Sequence, residues 1–163
     1  MNSTNWGQSG EVLIRIAAAA FMGAVLGVNR ELRDKPAGLK THALVALAAA
    51  LVTVTGIHLS TTGGATDTAA ATRAVQGIIT GIGFLGAGVI MQREGSNDVF
   101  GLTTAATIWI AASLGIAAGA GEIVTALFAT ALSMLVLLLG ERLEGLLRRF
   151  QHSRGDRDGT TSD

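Results

Sequence analysis

The chain contains no cysteine and a single proline among its 163 residues. Without cysteine, disulfides, thiolate metal centres and cysteine nucleophiles are excluded, while the compartment is left open. One proline leaves long helices unbroken. Aromatic residues make up only 4%, too few for the stacking platforms that hold single-stranded nucleic acid. Charged residues are at 15%, against about 25% in an average soluble chain. The formal net charge is zero, so no bulk attraction to nucleic acid arises.

Groups for catalysis and metal binding are equally scarce. No Ser, His and Asp arrangement, phosphate-binding loop or paired catalytic carboxylate occurs, so the chain is not expected to be an enzyme. His42 and His58 bound one apolar segment and lie about 24 Å apart along a helix, too far to share a metal within one chain. Magnesium would need carboxylates, carbonyls and retained water. Before the tail that begins at Glu141, only Asp67 and two charged turns supply carboxylates, because Glu11 and Glu122 stand at helix starts. No cofactor is expected, and no metal site is assigned. A deep proton relay or buried cation site of the usual transporter kind is disfavoured.

What the chain has is apolar length and glycine. Apolar residues reach 49% before glycine is counted, and one domain is the expectation for this length. Five glycines (Gly77, Gly81, Gly83, Gly86 and Gly88) fall in the otherwise apolar stretch 77–90. In water each interior glycine costs a helix ~1 kcal/mol relative to alanine. In lipid the helix bonds have no water competitor, and a missing side chain lets a neighbouring backbone approach. The stretch reads as the central helix of a membrane bundle with other helices laid against it, Gly77 and Gly81 forming one small-xxx-small pair. Gly23 and Gly27 form another.

Residues 1–10 are polar and lack Lys or Arg, so a cleavable signal is not expected and these residues read as a short extracytoplasmic tail. The membrane domain runs over 11–140, with spans expected at about 12–29, 41–57, 70–91, 102–118 and 123–139. Arg15 lies one turn inside the first span and can snorkel to the interface. Pro36 and Gly38 mark a turn, and Thr41 is placed to cap the following helix. Residues 93–97 form another turn, and 119–121 a very short one. Leu143, Leu146, Leu147 and Phe150 recur at helical spacing among charges, so 141–150 reads as an amphipathic surface helix. Residues 151–163 are polar without apolar pattern and are expected to be disordered.

Five spans put the ends on opposite sides. Arg30, Arg33, Lys35, Lys40, Arg93, Arg142, Arg148, Arg149, Arg154 and Arg157 then share one side, with Arg15 and Arg73 near the other. Cytoplasmic loops collect Lys and Arg, so the expected arrangement is an all-α polytopic membrane protein, a bundle of five transmembrane helices with its N-terminus outside and its C-terminus cytoplasmic.

Two groups of polar residues stand out. Arg30 and Glu31 end the first span, with Arg33, Asp34 and Lys35 beyond. Spacing alone favours a positive-inside anchor with surface ion pairs. The alternative is that Arg30 and Glu31 reach back between helices and close a polar site. Thr103, Thr104 and Thr107 place hydroxyls on adjacent turns of the fourth span. They serve either as interhelical hydrogen bonds or as a polar seam facing the glycines of the third.

Taken together, three motifs resemble the MgtC/SapB family of bacterial inner-membrane proteins. They are Asn29-Arg-Glu31 with Lys35 and Gly38-Leu-Lys-Thr-His42; Arg73 with Gly81-Ile-Gly-Phe-Leu-Gly-Ala-Gly88; and Gly101-Leu-Thr-Thr-Ala-Ala-Thr-Ile-Trp109. The resemblance covers roughly 12–139. It implies a multi-pass protein of the bacterial inner membrane, linked to magnesium limitation or acid stress and, in intracellular pathogens, to virulence. It also implies binding and regulation of another membrane protein, for example the F-type ATP synthase. Alternatively, in keeping with a common label for the family, it implies transport of magnesium or another small ion. A third reading is a structural subunit that self-associates through Gly77 and Gly81. The lipid bilayer, a membrane-protein partner and a second copy are the expected partners.

The resemblance marks Arg30, Glu31, Lys35, Lys40, His42, Arg73, Asn97, Thr103 and Thr104 as candidate functional residues. Lys40 stands where the family commonly has Arg, keeping the charge and losing the planar fork of donors. Phe100 stands where a basic residue is common, and Asn97 matches a polar position important in virulence-linked members. The soluble C-terminal domain of many members is not expected here.

Overall fold

A computed structural model describes residues 3–61, 68–92 and 99–158. Five helices account for nearly all of them: α1 (Ser3–Glu31), α2 (Leu39–Thr61), α3 (Thr68–Val89), α4 (Leu102–Gly119) and α5 (Ile123–Asp158). Between α3 and α4, β1 (Met91–Gln92) pairs antiparallel with β2 (Val99–Phe100), Met91 opposite Phe100. The sequence reading took 93–97 as a turn without flanking strands; those residues lie outside the described ones.

The stretches Ser9–Glu31, Leu39–Thr61, Leu102–Gly119 and Ile123–Gly140 are long and apolar enough to cross a membrane. At 23 residues, the first two reach about 35 Å, sufficient for the hydrocarbon core. The chain is a membrane protein. α3 is not among these four helices, because Arg73, Gln76 and five glycines dilute its apolar content.

The chain divides into two compact units, Met1–Thr130 and Ala131–Asp163. In the first, α2 packs against α1, α3 and α4, and α4 also meets α1 and α3. Within this unit the helix around which α1, α3 and α4 gather is therefore α2, and the expectation that the glycine-rich α3 is central is corrected. The physical reason lies in which backbones touch. A Cβ at Gly115 or Gly119 of α4 would collide with the carbonyl oxygens of Ala46 or Ala50 of α2. On α1, a Cβ at Gly23 would strike the carbonyl of His42, and one at Gly27 the backbone of Gly38 and Leu39. Two glycine pairs at i, i+4 thus clasp α2 from two helices, and the core between them is largely alanine: Ala19, Ala46, Ala50, Ala111 and Ala118 are fully buried. Within this unit α3 buries only Ile82 and Gly86, and a Cβ at Gly77, Gly81, Gly83 or Gly88 would meet nothing.

Turn chemistry fixes the ends of the helices. Asp34 and Ala37 adopt left-handed backbone (φ 51° and 57°) on either side of Pro36, reversing the chain between α1 and α2. Gly101 (φ 88°) precedes α4, where a side chain would run into the Val89 carbonyl. Gly121 (φ 94°) lies in the α4–α5 turn. The second unit is the remainder of α5, with Leu132, Leu135, Val136 and Leu139 exposed along it. The separate surface helix expected at 141–150 is part of this one helix, which continues to Asp158 over residues expected to be disordered.

Candidate functional site

The candidate site lies where the C-terminal end of α1 meets the start of α2 and the first turns of α4. Arg30 ends α1 yet is only 4% exposed. Its Nη2 donates to Thr104 Oγ1 at 2.5 Å, joining α1 to α4 across 74 residues of sequence. The reading of Arg30 as a surface anchor is therefore corrected: the side chain turns inward, as the alternative held. A hydrogen bond from a buried guanidinium is worth about 1.5–3 kcal/mol, more than an exposed ion pair. Thr107, one turn along α4, is also buried and donates to the Thr104 carbonyl at 2.9 Å.

His42 is fully buried in the first turn of α2. Its Nδ1 lies 3.0 Å from the Gly38 carbonyl oxygen. A carbonyl can only accept, so Nδ1 carries the proton and, in the neutral ring, Nε2 presents a lone pair. Neither that Nε2 nor the buried Oδ1 of Asn29 has a hydrogen-bond partner among the described residues. Buried acceptors without donors are uncommon in folded proteins, which marks this end of the bundle as polar beyond the needs of packing.

Glu31 has a different task. Its Oε2 accepts from the Leu39 amide at 2.8 Å, capping α2 from the preceding helix. A Cβ at Gly38 would sit 2.6 Å from that carboxylate oxygen. The sequence Gly38-Leu-Lys-Thr-His42 is thereby explained residue by residue. Gly38 makes room for the Glu31 carboxylate and for α1, Leu39 offers its N–H, Lys40 and Thr41 face outward, and His42 turns into the core. Thr41 is not the cap. A cleft of about 390 Å³ opens beside this turn, lined by Glu31, Asp34, Lys35, Gly38, Lys40 and Thr41.

The remaining candidates lie apart. Thr103 is exposed while Thr104 and Thr107 are buried, and the hydroxyls of these two face α1 and the helix's own backbone. The glycine side of α3 is instead approached by Ala105 and Trp109, 3.7 and 3.9 Å from a Cβ at Gly86. Arg73 lies exposed on α3. Asn97 falls outside the described residues. Among the described residues, no three His, Asp or Glu side chains gather as a metal would require.

Three features escaped the sequence reading. Gly115 and Gly119 carry an i, i+4 signal in the sequence, whereas the burial of Asn29 has none. At the other end of the bundle, Arg15 does more than snorkel. It donates from Nη1 to the Gly119 carbonyl at 3.2 Å and from Nη2 to Glu11, tying α1 to the end of α4.

A sequence profile described as the MgtC family matches residues 16–146. The chain is 38% identical to a protein of Haemophilus influenzae over 153 residues, which is 91% of this chain and 62% of that one. It is 41% identical to Protein SrpB of Synechococcus elongatus, over 80% of this chain and 75% of SrpB. To Protein MgtC of Salmonella typhimurium it is 43% identical, over 72% of this chain and 47% of MgtC. The chain thus spans about half of MgtC and less than two thirds of the Haemophilus protein. No solved structure matches it.

Proposed function

The chain belongs to the MgtC family, and from that premise we propose that it is a five-span protein of the bacterial inner membrane that binds and regulates another membrane protein when magnesium is limiting or the medium is acid. In this reading the N-terminus is outside, the C-terminus is cytoplasmic and α3 is the third of the five spans. The ten-to-two division of Lys and Arg supports that orientation.

One observation carries the reading. The glycines of α1, α2 and α4 that lie against other helices (Gly23, Gly27, Gly56, Gly115 and Gly119) are consumed within the chain, whereas Gly77, Gly81, Gly83 and Gly88 of α3 are open among the described residues. Arg73, Gln76, Gly77, Thr80, Gly81, Phe84 and Gly88 follow one another at helical spacing, and all are exposed. A polar, small-residue helix face is poorly matched to lipid and well matched to another helix. The bundle of α1, α2 and α4, locked at one end by Arg30 and Thr104 and at the other by Arg15, acts as the frame that presents α3. Regulation of an ATP synthase of the F type is the form this takes in the family resemblance, and it is the first partner to test.

The test is ATP synthesis in inverted membrane vesicles from cells that lack this chain, carry it, or carry its Gly81→Leu form. Lower synthesis with the native chain, restored by Gly81→Leu at equal membrane abundance, is the expected result. Equal synthesis in all three removes this partner, and the same substitution then serves to screen others.

A further inference from the structure

The short hairpin between α3 and α4 presents an apolar face that none of the described residues covers. Met91 and Phe100 are directly paired, so their side chains project from the same face, and they are 67% and 52% exposed. Ile90 and Leu102, on either side, are exposed as well. A two-stranded hairpin is marginal in water, and this one would hold a Met and a Phe in it.

Its position supplies the missing neighbour. Leu102 opens a helix long and apolar enough to cross a membrane, so the edge of the hydrocarbon lies close to Leu102. Phe100 precedes it by two residues, at most about 7 Å of chain. The other strand is held at the same depth, because the backbone at Gly101 lies against the carbonyl of Val89, the last residue of α3. Both strands therefore start from the boundary between hydrocarbon and headgroups.

We infer that the Met91–Phe100 face of the hairpin rests in the lipid interface of the leaflet at that end of α4. Burying a Met or Phe side chain in that layer is favourable, and polar backbone groups at that depth still reach water. The hairpin then anchors the joint between α3 and α4 to the membrane surface. This holds whichever protein α3 meets, and even if α3 meets none.

The absence of cysteine makes the test direct. Met91→Cys, Val99→Cys and Phe100→Cys forms of the full chain are each labelled with an environment-sensitive nitrobenzoxadiazole dye. They are then reconstituted into vesicles of phosphatidylethanolamine and phosphatidylglycerol, with and without lipid spin-labelled near the headgroup. Leu127→Cys, exposed on the apolar first part of α5, serves as the lipid reference, and iodide as the aqueous quencher. Blue-shifted emission and loss of intensity to spin-labelled lipid at 91 and 100, with iodide quenching dominant at 99, is the expected result. Water-like emission and iodide quenching at all three sites, with the reference still quenched by lipid, overturns the inference. Equal lipid quenching at all three overturns the assignment to one face. A form whose reference-normalised elution from a sizing column shows misfolding is replaced by Phe100→Trp in a chain with Trp6 and Trp109 changed to Phe, read by quenching with brominated lipid.

Discussion

Arg30 and Thr104 are joined by a buried hydrogen bond between the end of α1 and the start of α4. It closes one end of the bundle that α2 occupies, much as Arg15 closes the other on the Gly119 carbonyl. Two arginines that a hydropathy reading would leave at the membrane surface are in fact ties between helices.

Breaking the first tie has a definite cost. Arg30→Met and Thr104→Val each leave a buried partner unsatisfied and should destabilise the detergent-solubilised protein by about 1–3 kcal/mol. The double substitution should cost less than the sum, because both polar groups are then gone. A thermal-unfolding double-mutant cycle reads this, and strict additivity would contradict the contact.

Glu31 should behave as a cap and not as an ion-pair partner. Glu31→Gln keeps an acceptor for the Leu39 amide and should be mild, while Glu31→Ala should cost about 1 kcal/mol. Amide hydrogen exchange over the first turn of α2 should accelerate in the alanine form alone.

The glycines should fall into two classes. Gly115→Ala and Gly23→Ala put a Cβ against α2 backbone and should lower the folded yield sharply. Gly77→Ala and Gly81→Ala meet nothing among the described residues and should leave the yield unchanged. Comparable losses in both classes would mean that α3 is packed within the chain after all.

Backbone strain offers a third contrast. Ala37 sits in the left-handed region, which costs an L-residue about 1–2 kcal/mol, so Ala37→Gly should be neutral or slightly stabilising. Gly101→Ala adds a clash with the Val89 carbonyl to the same strain and should destabilise by at least about 2 kcal/mol. Melting temperatures of the two forms should move in opposite directions or, at the least, by very different amounts.

The helices and their order were legible because apolar runs broken by polar turns leave few alternatives. The Gly23/Gly27 pair was legible from its spacing. Other features were not, for physical reasons. A density of glycine shows that close approach is possible without saying to what, so α3 was given the place that belongs to α2. An arginine at the end of an apolar run reads the same whether it snorkels outward or turns inward, which hid the role of Arg30. The cap on Leu39 comes from Glu31 on another helix, beyond the window in which capping residues are sought. Strands of two residues carry no alternation to detect, so the hairpin went unseen.

The central claim is that the open face of α3 does the protein's work by meeting another membrane protein. It is tested most directly by growth in limiting magnesium of a deletion strain complemented with the native chain or with Gly81→Leu, with total cell magnesium determined in the same cultures. The account predicts that Gly81→Leu reaches the membrane at native abundance, fails to restore growth and leaves cell magnesium unchanged. Full restoration by Gly81→Leu, or a fall in cell magnesium that tracks the growth defect, would contradict it.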